Sequence, residues 1–201
     1  DGALKLFPAF SKIAGFNASK VNITNMAPNL REQMLMRSQV DAAFGYITTV
    51  TFSAKAMGID PAKELRFIRY GDFGMDLYSN AVFFSQSFIK ENPKAVAGFV
   101  RALNRAIKDV IADPDAGVAA VLQREPLLKK DVEKEKQLHT MRVDMSNPEL
   151  AKHGMGDVDD ERLKRSIGIV VDANGLPRTP APTEIFDRKY LPPKADRPSK
   201  L

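Results

Sequence analysis

The chain has 201 residues, 44% of them hydrophobic and 27% charged, with a formal net charge of +5. That length fits one domain or two small lobes. No apolar run approaches the ~18 residues of a membrane-spanning helix, and the absence of cysteine removes disulfides, thiolate nucleophiles and zinc–cysteine or iron–sulfur chemistry.

With only His139 and His153, a histidine-based metal site is not expected, and no cofactor is. The basic residues are dispersed: Lys129, Lys130, Lys134 and Lys136 alternate with Asp131, Glu133 and Glu135. That pattern is a solvated helix face, without the aromatic residues that would stack nucleic-acid bases. The chain opens on Asp1-Gly2-Ala3, with neither a basic stretch nor the apolar core of a signal peptide. A chain without a starting Met is expected to be processed or to be a fragment of a longer product.

In chain order, Leu6, Phe10 and Ile13 recur at helical spacing over 3–14, with Gly15 as the stop and Pro8 held to the first two turns. Residues 19–26 alternate Val21 and Ile23 with polar neighbours and read as a strand. A short helix follows over 29–39, with Leu30, Met34 and Leu35 facing inward. Residues 40–44 read as a buried strand, 48–58 as a helix ended by Gly58, and 64–70 as a third strand. The order α-β-α-β-α-β with short connections predicts a mainly parallel sheet flanked by helices.

The rhythm changes at "YGDFGMDLYSN", a glycine-, Asp- and Asn-rich crossing loop or hinge. Residues 81–85 read as a strand, and a short helix then starts at a Ser85 or Ser87 cap. Asn92-Pro93 restarts a helix with proline in its first turn. That helix, ending at Asp113-Pro114, carries Val96, Phe99, Val100, Leu103, Ile107, Val110 and Ile111 on one face. Beyond it "PDAGVAAVLQRE" begins the next helix, and the chain then reads as helix over 130–145, 147–153, 159–173 and 183–188, with a polar, proline-rich, extended tail. The lone strand at 81–85 has no sheet partner of its own within this second part.

The stretch "DLYSNAVFFSQSFIKENPKAVAGFVRALNRAIKDVIADPDAG" resembles the C-terminal half of NMT1/THI5-like (SsuA-like) periplasmic substrate-binding proteins. The likeness rests on an aromatic-x-Asn at Tyr78 and Asn80, then Phe88, Ile89, Glu91, Asn92 and Pro93. It continues through Val96, Phe99, Ala102, Ala106, Pro114 and Ala116. Upstream "NLREQMLMRSQVDAAFGY" and downstream "PTEIFDRKYLPP" extend the resemblance over nearly the whole chain.

The resemblance implies a type II periplasmic binding protein-like α/β fold: two lobes with parallel-sheet cores flanked by helices. Residues 1–72 would form a lobe 2-like α/β unit. Residues 73–201 would be the returning lobe 1 segment, with one or two strands and several helices. Members of the group are longer at the N-terminus, so lobe 1 would be incomplete and open to self-association. The implied function is the solute-binding component of an ABC-type importer, outside the cytoplasm. It would hold a sulfonate, nitrate-type anion, pyrimidine precursor or related small polar molecule in an interlobe cleft and present it to a membrane permease. Neither catalysis nor nucleic-acid binding is implied.

Three groups of residues are candidates for ligand contact. Asp1, Gly2 and Ala3 open a helix, whose free N–H groups favour an anionic or polar group. Gly45, Tyr46 and Thr48 offer close backbone approach, a flat ring face and a hydroxyl. Asp76, Tyr78 and Asn80 lie in the hinge region, where Asp76 could meet a cationic group and Asn80 could donate and accept. For each group an ordinary duty competes: a frayed terminus, a helix cap, a hinge contact. The acidic run Asp157, Asp159, Asp160 and Glu161 precedes a helix and reads as capping rather than metal binding. A small-molecule enzyme pairing Asp76 with a histidine, or a sensor module, is the alternative on the same fold.

Overall fold

The computed structural model describes residues 2–201; Asp1 lies outside the described residues. Eleven α-helices and short 3-10 turns make up the regular structure, and no strand or sheet is present among the described residues. The expected α/β fold with parallel-sheet cores is therefore corrected to an all-helical one. The segments read as strands, 19–26, 40–44, 64–70 and 81–85, carry no ladder. Their backbone is extended in places, as at Val21, Leu65 and Arg69. Extension is a local property; a strand also needs a neighbour about 4.8 Å away to pair with. Their apolar side chains are correspondingly uncovered: Ile23 is 45% exposed, Ile68 61% and Phe83 90%.

The chain forms two compact units, residues 1–77 with 165–179, and residues 78–164 with 180–201. In the first unit, α1 (Gly2–Ala14) ends at Gly15, whose φ of 76° suits glycine alone without strain. A 3-10 turn then leads into α2 (Arg31–Met36), followed by α3 (Ile47–Ala56) and α4 (Pro61–Glu64). The core is aromatic. Phe10 is buried and stacks on Tyr70 with ring centroids 4.0 Å apart, while Phe16 and Phe73 meet Phe10 edge-on. The inward face expected of α2 is corrected: Leu30, just before it, is 41% exposed, and the buried residue is Glu32.

The second unit begins its helices at α5 (Gln86–Glu91), where the Ser85 side chain accepts from Phe88 N. Next come α6 (Pro93–Ala112), α7 (Pro114–Arg124) and α8 (Lys130–Thr140), the last passing into a π-helical turn over Met141–Met145. α9 (Pro148–His153) and α10 (Asp160–Asn174) follow, with α10 running on into the first unit's segment, and α11 (Pro182–Ile185) is short. Val96 on α6 and Val118 on α7 are almost wholly buried, but Phe99 is 51% exposed and Asn104 is buried, so the inward face of α6 is narrower than its periodicity implies. The tail is not a free terminus either. Arg197 is buried, and Pro198 O accepts from Met155 N at 2.7 Å.

Candidate functional site

Two of the three candidate groups meet within the first unit. A Cβ placed on Gly2 would lie 3.4 Å from the Tyr46 hydroxyl, so the tyrosine reaches the N-terminus of α1. Ala3 O accepts from the Tyr70 hydroxyl at 3.0 Å, which fixes that first turn to the aromatic core. Burial pushes Tyr70 up to about 12, so the phenol stays protonated and keeps donating. Tyr46 itself, the residue preceding α3, has 54% of its surface exposed. Thr48 is buried in the first turn of α3.

Gly45 is tightly enclosed. A Cβ there would fall 2.6 Å from Val50 Cγ2 and 2.9 Å from Arg31 Nη1. Arg31 is the residue that sequence reasoning missed. Its Nη1 donates to Phe44 O at 3.2 Å, and its Nε and Nη2 donate to Glu32 Oε1 at 2.9 and 2.5 Å. The Glu32 side chain is only 5% exposed and that of Arg31 13%. A charge-assisted, shielded pair of this kind fixes geometry. Here it clamps the carbonyl immediately before Gly45 and so sets where Tyr46 stands. The only hint in the sequence was a glycine between two aromatic residues, a place where something bulky had to come close.

The third group is divided between the units: Asp76 belongs to the first, Tyr78 and Asn80 to the second. Asp76 and Asn80 are exposed. The Tyr78 hydroxyl donates to Glu149 Oε2 and accepts from Asp159 N at 2.7 Å, and the Arg162 guanidinium lies over its ring at 4.2 Å. Burial, then the bond to Glu149, pushes Tyr78 up to about 12. Both polar capacities of the phenol are thus used within the second unit.

The acidic run is structural. Asp159 Oδ1 accepts from Arg162 N at 3.0 Å, capping α10, and Asp157 is bonded by Arg188 at 2.7 Å and by Arg197 at 3.3 Å. His153 Nε2 lies 3.7 Å from Asp159 Oδ2. Among the described residues no cluster of His, Asp and Glu could hold a metal ion, and no helix is long and apolar enough to cross a membrane.

Residues 3–117 match the NMT1/THI5-like family. The chain belongs to that family. Among curated proteins, this NMT1/THI5-like chain is similar to the riboflavin-binding protein RibY of Chloroflexus aurantiacus, with 25% identity over 160 residues. The match covers 79% of this chain and 44% of RibY, so the chain spans less than half the length of that relative.

Proposed function

We propose that the chain serves solute binding rather than catalysis, as part of the extracytoplasmic binding component of an ABC-type importer. Membership of the NMT1/THI5-like family and the similarity to a riboflavin-binding protein support this reading. The observation that carries it within the chain is the meeting of Gly2 with the Tyr46 hydroxyl beside the clamped Gly45. Tyr46 presents an exposed aromatic face to a flat, polar solute. The first turn of α1 supplies backbone N–H groups that have no partner within the helix. Gly45 lets Val50 and Arg31 close in on the backbone, and the Arg31 bond to Phe44 O holds the residue before it in place. Binding energy, not bond-making, is the output of such a site.

Calorimetric titration against riboflavin, a pyrimidine and a sulfonate tests the proposal. One of them is expected to bind, and Tyr46→Ala to weaken it by about tenfold, the loss of one ring contact plus a hydrogen bond. Undiminished affinity in Tyr46→Ala would remove this site from the reading.

A further inference from the structure

A second site lies wholly in the second unit and is independent of the Tyr46 reading. The C-terminal half of α6 with α7 and α8 frames a groove of about 370 Å³, the size of a small-molecule site. Ile107, Val110 and Ile111 of α6 form one wall, and Val118 and Val121 of α7 another. The third is the end of α8, continued by Met141 and Met145 of the π-helical turn. The walls are held before anything binds. Gly117 lets α7 close on both neighbours, since a Cβ there would lie 2.9 Å from Gln137 Oε1 and 3.0 Å from Val110 Cγ2. Gln137 Nε2 donates to Pro114 O at 2.9 Å, and Lys134 Nζ meets Asp115 Oδ2 at 2.6 Å, so α8 is tied to the start of α7.

The polar groups decide what kind of molecule the groove takes. Glu133 and Lys136, the charged groups on its wall, lie 3.8 Å apart and offset each other. The π-helical turn keeps a further charge away. An α-helix that runs on from Gln137 returns to the same face seven residues later, at Asp144. The wider turn brings Met145 to the groove instead and leaves Asp144 exposed. Met141 and Met145 are unbranched and polarisable, and a thioether sulfur sits well at the edge of an aromatic ring. Among the described residues no ring lines the groove to meet them. We propose that this groove binds a small neutral aromatic molecule of about the size of indole, held by burial and by the two sulfurs.

Titration of the chain with indole, followed through the methyl resonances of its methionines, tests the proposal. Indole is expected to bind with a Kd on the order of 0.1–1 mM. It should shift Met141 and Met145 while Met57, in the first unit, stays in place. Indole acetate and tryptamine, its anionic and cationic counterparts, should bind at least about tenfold more weakly, since each brings a charge to an apolar wall. Ala106→Phe, at an exposed position on that wall, should fill the groove and abolish the shifts. Met145→Asp, which returns a carboxylate to this face, should weaken indole by about tenfold or more. No shift at Met141 and Met145, charged forms bound as tightly as indole, or indole binding untouched in Ala106→Phe overturns the proposal, even if Met145→Asp fails to fold. A chain that sediments as a dimer, and that Ala106→Phe returns to a monomer, would give the groove to a second copy and overturn it as well.

Discussion

Gly45 shows how one residue can hold a site together by what it lacks. The atoms that would meet its Cβ are a methyl of Val50, a side chain stiff at χ1, and the guanidinium of Arg31, anchored at both Glu32 and Phe44 O. Neither is a loose chain end that can swing aside. Gly45→Ala is therefore expected to cost about 1–3 kcal/mol, the usual penalty for overpacking. Gly98 makes the opposite case. It lies inside α6, and the nearest atom to its missing Cβ is Arg101 Nη2 at 3.9 Å. Gly98→Ala should stabilise by up to about 1 kcal/mol through helix propensity alone. Urea denaturation of the two variants should move the midpoint in opposite directions, and a Gly45→Ala midpoint equal to that of the unaltered chain would show that the Arg31 clamp yields freely.

At the scale of elements, helix boundaries obey local chemistry. Asp113 closes α6 and opens α7, where its Oδ1 accepts from Ala116 N at 3.0 Å beside a first-turn Pro114. Asp113→Ala should cost about 1 kcal/mol, read as a lower denaturation midpoint, while Asp113→Asn, which keeps the acceptor, should stay close to the unaltered chain. Equal losses in both variants would assign the effect to charge instead of the cap. Such signals made several helix boundaries legible in the sequence: Ser85 caps α5, Pro93 begins α6, and Asp113-Pro114 marks where α6 ends. The strands were misread because Val21 and Ile23 obey a period-2 pattern, and Phe83 lies in a short apolar run, that only a paired neighbour turns into a ladder, and pairing is not a local property. The same limit hid part of the candidate site. Gly45 and Tyr46 stood out by residue type, whereas the periodicity of 29–39 turned Leu30, Met34 and Leu35 inward and left the buried Glu32 and its partner Arg31 unnoticed. The burial of Asn104 was invisible for a related reason, a polar residue among the apolar positions of a helix whose Phe99 turns out to face solvent.

Across the whole molecule, titratable groups set a stability window with two distinct edges. On the acid side, burial raises Asp157, but the bond from Val158 N and those from Arg188 and Arg197 outweigh it and hold the carboxyl below its ordinary value. The stability this confers is present above that ordinary value and is lost as pH falls through the folded one. On the alkaline side each unit contributes a tyrosine, Tyr70 in the first and Tyr78 in the second, both raised from 10.0 to about 12. The sign is fixed by which state holds the proton. Above pH 10 the unfolded chain releases its phenolic protons while the folded chain keeps them, so stability present below 10 drains away as pH climbs toward about 12. The cause differs between the two. Tyr70 resists ionisation through burial against Phe10, whereas Tyr78 does so through burial and its donated bond to Glu149. The useful quantity is the difference between the chain and its variants. Urea midpoints taken from about pH 8 to about pH 11 should fall for the unaltered chain and fall less for Tyr70→Phe and Tyr78→Phe, which have no phenolic proton to lose. Tyr78→Phe should also start lower at pH 8, because Glu149 and Asp159 N lose their shared partner, while Tyr70→Phe keeps its stack on Phe10 and gives up the bond to Ala3 O. Parallel curves for all three proteins would mean that neither phenol carries the alkaline loss.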